Sequence, residues 1–88
     1  MADPVVYVLR CADDSLYTGW TVDLERRLAA HAAGTGSRYT RSRLPVALAA
    51  TWPMPDRSAA MREEARIKRL PRARKLELVA AAPLSRRA

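Results

Sequence analysis

Residues 5–10 (VVYVLR) form a β-branched and aromatic run, and after five turn-forming residues (CADDS) a second strand-like run follows over 16–20 (LYTGW). Two such runs joined by so short a segment make a hairpin, and the rest of the chain has to pack around it. A helix is expected over 23–33, capped by Thr21 or Asp23 and stopped by Gly34. Residues 34–43 (GTGSRYTRSR) are polar, basic and glycine-interrupted, which reads as a loop with one short helical turn. A third strand over 46–52 (VALAATW) ends at Pro53, Pro55 and Asp56. A second long helix is expected over 58–70, and Pro71 opens a further helix that runs through 81. The order β-β-α-β-α-α predicts an α/β (α+β) fold, a three-stranded antiparallel sheet flanked by helices. One domain is expected over 1–82, with 83–88 (PLSRRA) a flexible basic tail.

An 88-residue chain buries only about 60–65% of its unfolded surface, so its stability is modest. Cys11 is the sole cysteine, which removes an internal disulfide and any Cys/His zinc cluster. No apolar run is long enough to span a bilayer, and Asp3 and Pro4 do not suit a secretory leader. The expectation is a cytoplasmic protein with no membrane partner. Sixteen Lys and Arg against nine Asp and Glu give a net charge of +7, and fourteen of the sixteen are arginine. Arginine's planar fork suits phosphate, so a polyanion partner is favoured. Compositional bias is the competing explanation: the chain has seventeen Ala and no Asn, Gln or Phe.

Three sets of residues could carry chemistry. Tyr7 and Tyr17 occupy odd positions on the two hairpin strands, and an even register brings both rings to one face. Ordinary packing of amphipathic rings would look the same. Gly19, inside the second strand, marks close approach of a backbone or ligand. On the first helix Leu24 and Leu28 define the buried stripe, and Arg27 and His31 sit one turn apart at its edge. A solvated helix face is the plain alternative. On the second long helix Met61, Ala65, Ala60 and Ile67 mark the apolar side. Glu64 falls within it, Glu63 lies at its edge, and Arg62, Arg66 and Arg69 face outward. A carboxylate aimed at the protein body needs a cation, a donor or a metal, and a structural pair with an arginine would also satisfy it.

Taken in order, these fragments resemble the GIY-YIG nuclease superfamily. Val5-Val6-Tyr7 stands where the family has its first tripeptide, and Tyr17-Thr18-Gly19 where it has the second. The likeness is closest to the short single-domain bacterial members. It runs from Tyr7 to Lys75 through YVLRCADDSLYTG, DLERRL, His31, GSRYTR and EARIKRLPRARK. The sequence departs from the family in three places. Only the tyrosine of the first tripeptide is kept, Trp20 stands where several larger members carry lysine, and no asparagine follows the glutamate.

The resemblance implies phosphodiester hydrolysis with one divalent cation, Mg²⁺ or Mn²⁺, and Glu64 as its one protein ligand. Arg27 would hold the non-bridging oxygens and Tyr7 would take the proton from the attacking water, with Tyr17 orienting it and His31 assisting. A phenol with an ordinary pKa near 10 is a poor base, so Arg27 and the metal would have to lower it, or a metal-bound water would have to accept the proton. The substrate implied is nucleic acid, most of all DNA. Because the chain carries no separate DNA-binding domain, the 34–43 segment is the candidate surface. There Arg38, Arg41 and Arg43 would contact phosphates and Tyr39 would stack on a base, which suits single-stranded or branched DNA. Two rival readings are a non-catalytic nucleic-acid-binding module and a subunit whose protein partner supplies specificity.

Overall fold

The computed structural model describes residues 3–82; the expected tail over 83–88 lies outside the described residues. Strands β1 (Val5–Arg10) and β2 (Leu16–Thr21) form the hairpin, followed by α1 (Leu24–Ala32) and a four-residue helix α2 (Arg38–Arg41). Strand β3 (Ala47–Pro53) and helices α3 (Arg57–Lys68) and α4 (Arg72–Ala81) complete the chain. The order is therefore β-β-α-α-β-α-α, with α2 as the single helical turn expected between the first helix and the third strand. The sheet is antiparallel throughout, with strand order β2-β1-β3.

Turn and cap chemistry set the element ends. Asp13 accepts a hydrogen bond from the Ser15 backbone at 3.0 Å, and Asp14 adopts φ 69° in the hairpin turn. Aspartate is among the few side chains that tolerate that left-handed region. Asp23, not Thr21, caps α1 by accepting from Arg26 N at 3.2 Å. At the other end Gly34, at φ 83°, donates to His31 O, and Thr35 donates to Ala30 O. This paired bonding stops the helix where glycine can take the left-handed turn. Asp56 caps α3 through Ala59 N at 2.8 Å, so that helix starts one residue earlier than the sequence pattern predicts and ends at Lys68 rather than 70.

Central strand β1 divides the molecule. Its even residues Val6 and Val8 meet Ala60 and Ile67 of α3 and Val79 of α4, with Ala50, Trp20 and Trp52 filling in. Its odd residues Tyr7 and Leu9 are equally buried on the opposite face. Between Val8 and Leu9 the pairing with β3 shifts by one residue.

The inward stripes of α1 and α3 differ from the sequence expectation in the same way. On α3 the expected apolar markers Met61 and Ala65 are exposed, and Ala60 and Ile67 are buried with Glu63 and Glu64 half-buried between them. On α1, Leu24, Arg27 and Leu28 are half-buried and His31 is the fully buried member. Each helix thus turns two polar side chains inward along an i, i+3, i+4, i+7 stripe. Arg27 and His31 are not at its edge but within it. Among the described residues no helix is long and apolar enough to cross a membrane.

Candidate active site

The hairpin register creates the site. Tyr7 pairs with Gly19, and Leu9 pairs with Tyr17, so both tyrosines project from the same face. Their ring centroids lie 6.5 Å apart. The close approach at Gly19 is made by a side chain, Tyr7, rather than by the backbone or ligand expected: a Cβ on Gly19 would stand 2.6 Å from the Tyr7 hydroxyl. The phenol occupies the space that a side chain would take.

His31 enters from α1 and closes the cluster. Its Nε2 lies 2.8 Å from the Tyr7 hydroxyl, and its ring packs edge-on against both tyrosines, at 5.7 Å from Tyr7 and 5.3 Å from Tyr17. Its Nδ1 lies 2.9 Å from Thr40 Oγ1, and the side chain has no exposure to solvent. Burial, and then the positive charge of Arg27, hold the imidazole below its ordinary pKa of 6.5. At neutral pH it is uncharged.

Arg27, one turn earlier, donates from Nη2 to Gly36 O at 2.7 Å and interacts with both phenols. Hydrogen bonding to Tyr7 pushes its guanidinium pKa further up. The net shift of Tyr7 runs opposite to the lowering expected from Arg27. Arg27 lowers the phenol's pKa, but burial outweighs it and Tyr7 stays above 10.0, with the charges of Tyr17 and Glu64 also raising it. Burying a phenolate costs more than one adjacent guanidinium returns. Beside Arg27, an open hollow of about 180 Å³ is lined by Thr21, Asp23, Arg26, Arg27 and Ala30.

Glu64 and Glu63 are both half-buried, their side chains 23% and 28% exposed, so burial alone does not separate them. Their partners do. Glu63 forms a two-pronged pair with Arg66 at 2.9 and 2.7 Å, which holds its carboxyl below the usual range. Among the described residues Glu64 pairs only with Lys68, at 3.5 Å, and its charge acts on Tyr7. No group of three His, Cys, Asp or Glu side chains gathers among the described residues. A single carboxylate with access to water suits a hard cation that keeps most of its own waters, as Mg²⁺ does, and does not suit zinc.

Of the four residues expected to meet nucleic acid, Arg38 and Arg41 are exposed, and neither has an acidic partner among the described residues. Arg43 is engaged within the protein: Nε pairs with Asp13 at 3.0 Å, Nη1 donates to Tyr39 O, and the guanidinium lies 3.8 Å over the Tyr39 ring. Tyr39 in turn leans on Tyr17 at 5.8 Å. Sequence reasoning missed Gly36, Ser37 and Thr40, which hold Arg27 and His31 in place. The Ser37-x-x-Thr40 spacing marks only a helix cap, and nothing local signals its contact with His31.

Residues 3–77 match the sequence model described as the GIY-YIG catalytic domain. The chain is 56% identical over 79 residues to a UPF0213 protein of Natronomonas pharaonis, covering 90% of this chain and 93% of that one. It is 50% identical over 74 residues to a UPF0213 protein of Halalkalibacterium halodurans, covering 84% and 79%. The solution NMR structure of a UPF0213 protein from Bacillus halodurans aligns at a TM-score of 0.61 and 45% identity, covering 94% of this chain and 90% of that one. That of a protein from E. faecalis aligns at 0.63 and 40% identity, covering 90% and 84%.

Proposed function

Because the chain belongs to the GIY-YIG family, we propose that it is a metal-dependent endonuclease that hydrolyses phosphodiester bonds in DNA, acting on single-stranded or branched forms. The observation that carries this reading is the buried Tyr7–His31 pair, 2.8 Å apart, with Arg27 against the phenols and the charge of Glu64 acting on Tyr7. A module that only binds nucleic acid has no use for a buried phenol aimed at a neutral imidazole.

Each residue has a distinct task. Arg27, fixed by Gly36 O, presents its remaining N–H donors to the non-bridging oxygens, whose charge grows in the transition state. Glu64 would hold Mg²⁺ or Mn²⁺, which when bound supplies Lewis-acid stabilisation of the phosphate and the leaving oxygen. Tyr7, whose pKa stays high, does not act as a free phenolate. It takes the proton of the attacking water as its own proton passes to His31 Nε2, so the imidazole is the final acceptor. Tyr17, in contact with both rings, orients the water. Arg38 and Arg41 supply phosphate contacts along the strand.

The test is cleavage of single-stranded, duplex and branched DNA and of RNA, with Mg²⁺, Mn²⁺ or EDTA. Cleavage that EDTA abolishes is expected on single-stranded or branched DNA. Binding without cleavage under every condition would make the chain a non-catalytic nucleic-acid-binding module.

A further inference from the structure

We propose that Thr40 is a positioning residue that locks His31 in the tautomer protonated at Nδ1, so that Nε2 stands as an acceptor facing Tyr7. The catalytic consequence rests on the nuclease reading; the tautomer itself does not.

The assignment follows from counting donors. Among the described residues the buried Tyr7 hydroxyl has one hydrogen-bond partner able to accept, His31 Nε2, and a neutral phenol carries one proton to give. The phenol's own proton then needs an acceptor, and His31 Nε2 is 2.8 Å away. With Nε2 accepting, the neutral ring carries its proton on Nδ1, which points at Thr40 Oγ1 at 2.9 Å. Thr40 can receive it because its hydroxyl has other outlets: Ser37 O at 3.4 Å, or Ser37 Oγ at 2.9 Å. Ser37 Oγ also accepts from Thr40 N at 3.1 Å, which pins the two side chains to each other at the start of α2. His31 and Thr40 have no exposure, so water cannot replace either partner. No buried side-chain nitrogen or oxygen among the described residues is left without a partner, as this arrangement requires. Gly36 fixes the ring from another side, since a Cβ there would collide with Nδ1 and Cγ of His31.

One five-residue stretch, 36–40, thus holds both inward polar residues of α1. Gly36 O fixes Arg27, and Thr40 fixes His31. In the reversed tautomer Nε2–H would donate to Tyr7, and the imidazole could not receive the phenol's proton.

The experiment compares the parent with Thr40→Val, which keeps the volume and removes the hydroxyl, and with Thr40→Ser, which keeps the hydroxyl. His31 is the chain's one histidine, so nitrogen-15 shifts of its ring report the tautomer without ambiguity. The parent and Thr40→Ser should show protonated Nδ1 and unprotonated Nε2 at neutral pH, and Thr40→Val should lose that state. Cleavage by Thr40→Val should show kcat lowered on the order of 10²-fold, the lower end of what a positioned proton acceptor contributes, with KM unchanged. Thr40→Ser should recover it. If Thr40→Val fails to fold, Ser37→Ala, which removes the hydroxyl that steadies Thr40, should shift the same resonances partway. A parent ring protonated at Nε2, or variants that keep protonated Nδ1 without the hydroxyl, overturns the proposal. So does an altered tautomer with undiminished kcat in a parent that cleaves. A parent that cleaves nothing but shows the Thr40-dependent tautomer would sink the nuclease reading while upholding the assignment.

Discussion

The two faces of β1 are buried to the same degree and do opposite things. Val6 and Val8, at 0% and 1% exposure, meet alanine, isoleucine and valine. Tyr7, also at 1%, meets a histidine, a tyrosine and a glycine. The apolar face stabilises by removing surface from water, about 1.5–3 kcal/mol for each large aliphatic side chain fully buried. The other face gains less from hydrogen bonds, about 0.5–1.5 kcal/mol each, and losing one partner strands the other at a cost of about 1–3 kcal/mol. A face organised in this way is built for specific positions rather than for stability. Substitutions on the two sides should therefore be separable, one set lowering stability and the other activity.

The largest separation is expected at Glu64. Glu64→Ala should abolish metal-dependent cleavage and leave thermal unfolding near that of the parent. Glu63→Ala, which removes a half-buried carboxylate already paired with Arg66, should be mild on both counts. Equal loss of cleavage in the two variants would break the distinction drawn from their partners. Arg27→Ala comes next, with cleavage slowed by roughly 10²-fold or more and little loss of binding. Arg26→Ala, exposed on the same helix, should do neither, and matching losses would indicate generic charge.

The opposite outcome is expected one turn along α3 from Glu64. Ile67→Ala should cost about 2–5 kcal/mol in urea unfolding, a large share of a small domain's stability, with kcat intact in whatever fraction stays folded. A kcat that falls with no change in unfolding would show that the faces are not separable. A smaller effect should appear with pH. His31 is held below 6.5 in the folded protein, by burial first and Arg27 second, with Tyr7 and Tyr17 its other ring neighbours. The unfolded chain therefore takes up a proton below about 6.5 that the folded one refuses. Stability should be full above that pH and fall by at most about 1.4 kcal/mol per pH unit as pH drops toward the folded value. Asp13 and Glu63, whose pKa values are lowered, contribute only at more acidic pH. Urea midpoints at pH 7.5, 6 and 5 would check this, and a flat line would mean that His31 charges in place.

The smallest effect lies on the exposed side of α2. Arg38→Ala with Arg41→Ala should flatten the salt dependence of single-strand binding by about 0.7 in the log–log slope for each phosphate no longer neutralised, with kcat unchanged. An unaltered slope would move the strand to the outer face of α3, near Arg62 and Arg69.

Much of this is legible in the residues. The hairpin, the Gly34 stop and the Pro71 restart are local signals, and the structure follows each within a residue or two. The inward stripes are harder. On α3 the apolar Met61 and Ala65 suggest the wrong side of the helix, because alanine and methionine also favour exposed helix surface. On α1 the same logic puts Arg27 and His31 at an edge, because polar residues count as outward until a buried partner is known. His31 is inside because Tyr7 comes from β1 and Thr40 from α2, and no short window along the chain contains all three. The 34–43 segment poses the hardest case. Its polarity marks a surface loop, and Arg38 and Arg41 do lie outside, but Gly36 and Thr40 between and beside them turn inward.

Gly19 contributes no functional group, yet it sets where the phenol opposite can rest. A Cβ there would stand 2.6 Å from the Tyr7 hydroxyl and 2.7 Å from the carbon that bears it. Even alanine would force the ring aside, stretching its contact with His31 and turning its oxygen from Arg27. The position thus acts as a mould: it shapes the phenol's location by what it omits. A survey of substitutions that scored only chemistry-bearing side chains would pass over it, while one that scored loss of function should rank it beside Arg27.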